Sequence, residues 1–588
     1  MAKKQSMLNG ALILAVATVI VKIIGALYKI PLTDLIGATG RGYFNSAYEI
    51  YTPIFAISMA GLPVAVSRLV SENIALNRYR EARMVFKVAK RIFFITGVTG
   101  TAILFIIAVP YTKYVADERN LAAVLAIAPS IFFCCSMSAY RGYYEGLRNM
   151  TPTAISQIIE ALGKLSLGLG LASGILKYGL HQFNTTGIVF GKQVADEAMA
   201  YSEIYPYAAA GAVLGVTVGT VFGLIYMIIS YKIKGDGISR IDLVNSPKPQ
   251  AGMKIAKNLI IIAIPMVASA LILNLTNLID TLTIQHRLAY AIERSPEIIH
   301  SMYGKSFESA NLLDKDIVKY LYGTYGSVLD FRNLIPTITM SLGVSALPAI
   351  SAAWATRDRK SIRITIESVL RVTMLVAMPA GIGMAVLSEQ ILTIIYGVNN
   401  PDIIPIAAPI MATYGYATAL MALSTPVVNL LQGIGRTDIP VKSLLVGGVV
   451  KIISNFILVG NPNYNINGAP FGSILCYVAI ISINLVSLLK ISKIKVDFKS
   501  IFIKPIFCSI LCGATAWSVY GLTERFILNI DSLSNRVILI STVFAIAFAV
   551  IVYCLSILLI RGISRDDVEM LPKGEKIAKA LAKHRLLG

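Results

Sequence analysis

The chain holds 588 residues, 56% of them hydrophobic and only 14% charged, and its mean hydropathy is +0.70. A soluble globular protein carries roughly 25% charged residues. The composition therefore excludes a soluble enzyme, a disordered chain, a disulfide scaffold and a nucleic-acid binder built on a soluble core. The formal charge of +21, from 53 Lys and Arg against 32 Asp and Glu, has to be read by position along an integral membrane protein.

About 20 apolar residues are needed to cross the hydrocarbon layer. Fourteen such stretches follow one another, at roughly 8–32, 43–67, 92–113, 121–147, 153–177, 204–231, 258–283, 326–354, 365–388, 403–432, 441–460, 469–489, 504–524 and 536–560. The first is too long for a signal-peptide core and lacks a small-residue cleavage site. Connections are short; the longest, 284–325, is polar and mixed in charge. Cytoplasmic loops hold an excess of Lys and Arg. With the N-terminus inside, 36 of the 53 cations fall in cytoplasmic segments and 12 in outer ones. Both termini are thus expected in the cytoplasm of a multi-pass protein of the bacterial cell membrane. The tail after Pro572 places Ile577 and Leu581 on one face among Lys576, Lys579 and Lys583, which suits a helix on the inner leaflet or a solvated tail.

Half-to-half similarity accompanies many transporter folds. Leu62-Pro63 in the second span matches Leu347-Pro348 in the eighth, and Gly146 and Pro152 match Gly433 and Pro440. The offsets of these matches lie between 285 and 288, and Lys164 falls on Lys451 at 287. The expected fold class is an all-α membrane protein of 14 transmembrane helices. Two pseudo-symmetric six-helix lobes occupy 1–232 and 258–490, joined by a cytoplasmic linker, 233–257. Two more helices fill 491–561, and a basic tail covers 562–588.

A charge at mid-bilayer costs about 2.5–3.5 kcal/mol even on the mildest scale, so such residues face a bundle interior or a wet cavity. Lys22 lies some 15 residues into the first span, roughly 22 Å along the axis, too deep for easy snorkelling. Lys29 is two turns further on the same face, Arg41 extends the basic track, and Glu49 is a counter-charge. The plainer role for Lys29 and Arg41 is interfacial anchoring. Glu160 and Lys164, four apart, can pair with each other. Lys451 has no acid within a turn of its own helix, with Ser454 and Asn455 its nearest polar neighbours. The seventh span offers Asn274, Asn277, Asp280 and Thr281, an oxygen-rich face suited to Na⁺, a proton relay or an ion pair with Lys451 or Arg332. Arg332 precedes Pro336 and has Asp330 as a local partner. The six cysteines lie in apolar spans without ligand spacing, and no nucleotide-binding or zinc motif is present. No cofactor is expected.

The run YRGYYEGLRNMTPTAISQIIEALGK (140–164), NLTNLIDT (274–281) and TMSLGVSALPAIS (339–351) resemble the polysaccharide-biosynthesis transporters of the MOP flippase superfamily. The resemblance is to the SpoVB/YtgP group, relatives of the lipid II flippase MurJ, and it extends over essentially the whole chain. It implies a MATE/MurJ-like fold, no enzymatic activity, and export of an undecaprenyl-diphosphate-linked saccharide, lipid II above all, by alternating access. It also implies cell-wall, polysaccharide or sporulation roles, membrane lipids and cell-wall synthesis proteins as partners, no nucleic acid, and a monomer. The relatives' sodium site maps onto Asp280, with Asn277 beside it and Lys451, Asn455 and Ser473 across from it. The lysine stands where a neutral ligand is found, which suggests an ammonium in place of the ion. The diphosphate-binding cations map onto Lys22 and, loosely, Arg332, with Lys29, Arg41, Glu49, Glu160 and Lys164 completing the cavity set. Competing readings are a MATE-type cation-coupled drug exporter, a flippase for another lipid-linked unit, a membrane-embedded transferase using 284–325, and a scaffold.

Overall fold

The structure, a computed structural model, describes residues 7–59, 61–115, 117–528 and 535–564. The basic tail beyond Ser564, and with it the expected surface helix, lies outside the described residues. The elements are almost all helical: α1 (Met7–Met59), α2 (Leu62–Ala75), α3 (Tyr79–Tyr114), α4 (Leu121–Gly146) and α5 (Thr151–Thr186). A two-stranded hairpin, β1 (Ile188–Val189) and β2 (Lys192–Gln193), precedes α6 (Glu197–Lys234) and the short α7 (Arg240–Asn245). Then come α8 (Gly252–Arg294), α9 (Pro296–Ser309), α10 (Ile317–Arg332), α11 (Leu334–Ala355), α12 (Arg359–Val386) and α13 (Ser388–Tyr396). The last five are α14 (Ile404–Gly433), α15 (Asp438–Leu458), α16 (Gly468–Ser492), α17 (Lys504–Leu528) and α18 (Asn535–Leu559).

Helix α1 is two helices joined at a bend. Gly37 adopts φ 62° and ψ −177°, a region essentially restricted to glycine. The chain folds back there. Arg41 Nη1 donates to the Lys29 carbonyl at 3.3 Å, although twelve residues of straight helix would separate them by about 18 Å. The rings of Tyr28 and Phe44 lie 6.0 Å apart for the same reason. The second arm ends near Gly61 (φ 79°), which caps α2, and Pro63 stands in the first turn of that new helix. The second expected span is therefore a broken helix, with Pro63 starting its second piece. In the matching eighth span the break falls at Asn333, between α10 and α11, while Pro348 lies inside continuous helix. The proline repeat is real in sequence, but only Pro63 stands at a helix break.

Among the described residues twelve helical stretches are long and apolar enough to cross a membrane. The first, Val16–Ala75, has 60 residues, about 90 Å of helix, enough for two crossings. Helix α8, 43 residues long, covers the expected seventh span. That arrangement is consistent with fourteen. By contacts the chain forms two compact units. One comprises residues up to Ala289 together with Asn311–Gly323; the other comprises Tyr290–Ala310 and residues from Thr324 on. The repeat counts the seventh span with the second half, but most of α8 packs in the first unit. A Cβ on Gly61 would stand 2.7 Å from Met266 Cβ, and Gln285 accepts from Ser46 Oγ at 3.1 Å and from Lys319 Nζ.

Candidate functional site

In the first unit α5 and α6 meet through glycine. A Cβ on Gly163 would lie 2.9 Å from Gly219 Cα, and one on Gly215 only 2.3 Å from Gly168 Cα. The backbones touch where side chains would otherwise stand, and this contact sets where Glu160 and Lys164 stand. Helices α4 and α5 form a hairpin about the turn 147–150, which sets Arg141 opposite Ser156. Arg141 Nε donates to Ser156 Oγ at 2.9 Å, and Nη2 donates to Glu160 Oε2 at 3.0 Å. Lys164 Nζ lies 4.9 Å from the ring centre of Tyr28 and 5.3 Å from that of Tyr48, contacts that stabilise a half-buried ammonium. Tyr28 is itself held by a hydrogen bond from its hydroxyl to the Ala212 carbonyl, 3.0 Å. Arg141, Gln157, Glu160, Lys164, Tyr28 and Tyr48 line one cavity of about 360 Å³, closed on its apolar side by Val21, Ile24 and Val216.

The other expected cations of the first unit are distributed differently. Lys22 is exposed, and Lys29 is half-buried with its carbonyl capped by Arg41. Neither they nor Arg41 and Glu49 line the cavity. Arg41 is 1% exposed, with its guanidinium 5.7 Å from the Phe44 ring centre. It therefore closes the bend at Gly37 and is not an interfacial anchor. Glu49 is half-buried on the same arm. On α8, Asp280 is buried and Asn277 exposed, so the two do not share one environment. The Thr281 hydroxyl shares a hydrogen bond with Tyr322 Oη at 2.9 Å.

A second polar group gathers at one end of this unit. Arg119 binds Asp117 through two hydrogen bonds of 3.0 Å and Asp316 at 2.8 Å, and Tyr43 Oη donates to Asp117. Glu203 accepts from Lys192 and Lys315 at 2.7 and 2.8 Å. Elsewhere the unit's linker is strapped down. Asp236 accepts from Arg83 Nε and Nη2, from Tyr143 Oη and from the Ile238 amide. Burial would push its carboxyl up, but the Arg83 guanidinium and the other donors hold it below the ordinary range.

In the second unit Tyr414 is the hub. Its hydroxyl lies 2.7 Å from Tyr325 Oη and 3.1 Å from Ser473 Oγ, and Arg332 Nη1 reaches it at 3.4 Å with the guanidinium 5.1 Å from the ring centre. Arg332 and Ser473, assigned to different sites from sequence, thus share one network. Lys451 and Asn455 are buried a turn apart on α15. Helix α16 approaches them closely: a Cβ on Gly472 would stand against Asn455 Oδ1. A separate groove of about 610 Å³, almost wholly apolar, is lined by Phe331, Leu334, Val376, Met384, Ile546, Tyr553 and neighbours from α10–α14, α17 and α18. No group of three or more His, Cys, Asp or Glu suited to a metal occurs among the described residues. Five cysteines are buried, and Cys554 is exposed on α18.

Arg141, Tyr28, Tyr48 and Tyr414 escaped sequence reasoning. Arg141 lies near the end of the fourth expected span, where an arginine reads as an interfacial charge, although the register about 147–150 sets position 141 against 156. The tyrosines carry no local signal, since aromatic residues in a span ordinarily pack against neighbours.

Residues 7–354 match the family described as polysaccharide biosynthesis protein, and 323–457 match MatE. The chain is 23% identical to Stage V sporulation protein B of Bacillus subtilis (strain 168), over 97% of this chain and 98% of the relative. It is 26% identical to Lipid II flippase MurJ of the same organism, over 81% of each. A solved structure of lipid II flippase MurJ in an inward closed conformation superposes with a TM-score of 0.59 at 14% identity, covering 93% of this chain and 98% of that one. An inward-facing MATE-family multidrug transporter gives 0.57 at 14%, covering 79% and 94%. The MATE/MurJ-like fold is thereby the fold of this chain. The chain belongs to the polysaccharide biosynthesis protein family, as a membrane transporter of the MOP superfamily of the MurJ and SpoVB type and not an enzyme.

Proposed function

We propose that this protein flips an undecaprenyl-diphosphate-linked saccharide, lipid II in the first instance, from the inner to the outer leaflet of a bacterial cell membrane. The observation that carries the reading is the sign of the charges within the spans. Lys164 and Arg141 line a cavity with one carboxylate, and among the described residues the buried cations Arg41, Lys319, Arg332, Arg371 and Lys451 outnumber the buried acids Glu81, Asp280 and Asp316. A site for organic cations wants the opposite balance, so an anionic head group suits this interior better than a drug cation. The apolar groove in the second unit is matched to a hydrocarbon chain. Its relatives' printed functions, a lipid II flippase and a sporulation protein, support a cell-wall precursor, in vegetative growth or in spore formation.

In this reading both termini are cytoplasmic, the two six-helix lobes alternate in access, and the protein works as a monomer beside cell-wall synthesis proteins. Lys22, Lys29 and Arg332 serve the passage of the head group. Asp280 on α8, with Asn277 a turn away, and Lys451, Asn455 and Ser473 on α15 and α16 are the residues assigned to coupling, the Lys451 ammonium taking the place of a sodium ion. Moving negative charge outward is favoured by an inside-negative potential, by about 2.3 kcal/mol per charge per 100 mV. The test is reconstitution in vesicles holding labelled lipid II, with an imposed potassium-diffusion potential. Transfer to the outer leaflet that accelerates with an inside-negative potential is expected. Transfer indifferent to potential removes that coupling, and transport of organic cations without lipid II transfer overturns the reading.

A further inference from the structure

We infer that Glu160 is a built-in occupant of a phosphate site, displaced from Arg141 when the diphosphate of the cargo arrives. The inference rests on the anionic-cargo reading above and names where, within the first unit, the charge is received. The reasoning starts from the cavity's composition. Its walls bring two cations and one carboxylate from two helices, α4 and α5, into about 360 Å³. Arg141 is held from behind: its Nε is engaged by Ser156, which in turn donates to the Thr153 carbonyl at 2.7 Å. The guanidinium therefore keeps its place whatever occupies Nη2. On that nitrogen sits the Glu160 carboxylate, at 3.0 Å, with a side chain 29% exposed against 16% for Arg141. The acid is the more accessible partner.

Lys164, one helical turn from Glu160, stands over two tyrosine faces. Tyr28 is locked by its bond to Ala212, and Tyr48 belongs to a ladder of rings from Tyr28 through Phe44 and Tyr51 to Phe55. Arg141 is thus held by Ser156 independently of Glu160, and Lys164 is supported by the two rings. A carboxylate and a phosphate each offer anionic oxygens to a guanidinium, which forms charge-assisted hydrogen bonds to either. A diphosphate offers a second charged centre that a carboxylate lacks, and Lys164 is the cation placed to receive it. When the site is empty Glu160 lowers the cation excess within the membrane; when the cargo enters, it yields.

The test is unusual in its sign. Purified protein in nanodiscs is titrated with undecaprenyl diphosphate, and with undecaprenol as the control lacking phosphate, and binding is read by native mass spectrometry. Glu160→Gln should tighten undecaprenyl diphosphate binding about tenfold, the effect of removing one charge-assisted competitor on a partly exposed site. Arg141→Gln and Lys164→Gln should weaken it, Arg141→Lys less so. In an Arg141→Gln background Glu160→Gln should change binding by less than about twofold, since the competitor no longer has its cation. If Glu160→Gln weakens binding or leaves it unchanged while the wild type binds, displacement is wrong and the anionic-cargo reading survives. If phosphatidylglycerol displaces the probe as well as undecaprenyl diphosphate itself, the site takes any lipid phosphate and the inference fails. If the wild type binds undecaprenol and the diphosphate equally, or neither, both the inference and the reading beneath it fall.

Discussion

Arg119→Met removes the centre of the ion cluster that ties α3, α4, α6 and the start of α10 together. Arg119 is 22% exposed, whereas Asp117 and Asp316 are 9% and 3% exposed. The variant therefore leaves two largely buried carboxylates facing a thioether. Stranding a buried charge costs about 3–5 kcal/mol; the partial exposure of the guanidinium favours the low end, about 3 kcal/mol. For a unit of this size that corresponds to a fall in unfolding temperature of about 5 °C. Five buried cysteines supply the assay, because a thiol-reactive dye gains fluorescence as they are uncovered, over a constant background from exposed Cys554. Adding Asp316→Asn to Arg119→Met should recover about half of the loss, as one stranded charge is removed. Arg119→Lys should fall between, since an ammonium cannot fork across Asp117 and Asp316. A shift below about 2 °C, or no recovery in the double variant, would refute the claim that buried charge pairing holds this end of the unit together.

Two further outcomes follow from backbone and protonation. Gly37→Ala should destabilise by about 1–3 kcal/mol through backbone strain alone, because its nearest neighbour, Tyr205 Oη, leaves 3.5 Å of room. Gly170→Ala, with nothing within 4 Å, is the control and should be neutral or slightly stabilising in the same thiol-dye measurement. The Asp236 carboxyl, held below its ordinary 3.8, contributes stability that is fully present above that value and disappears as pH falls through its folded value. Asp236→Asn should therefore lie below wild type at neutral pH, and the gap should close below about pH 4, as followed by circular dichroism.

The spans were legible in the sequence because a bilayer demands long apolar runs, and that signal is local. What the sequence hid is set by turns and by contacts across helices. Gly37 looked like any loop glycine, yet it makes one continuous stretch of helix into two arms. Arg41, legible as a charge, was read as part of a track when it seals that bend. Glu160 was legible as a membrane carboxylate, and its partner Lys164 seemed obvious at a spacing of four. The structure adds Arg141 from the neighbouring helix, a pairing visible only once the α4–α5 hairpin has a register. Ser473 and Arg332 stand 141 positions apart; Tyr414, an unremarked aromatic, joins them.

The glycine seam between α5 and α6 has a consequence for motion. Helices that meet through side chains can slip by exchanging one rotamer for another, each small step repaid by a new fit. Where Gly163 meets Gly219 and Gly168 meets Gly215 there are no rotamers to exchange, and any slip drives a backbone into a neighbouring side chain. The pair is therefore a single stiff plank. Rearrangement in this unit has to take place on the other edge of α5, where Lys164 rests on the Tyr28 and Tyr48 rings, a contact that tolerates a range of positions. Stiffness on one side and a slippery aromatic bearing on the other give α5 the character of a hinge pin.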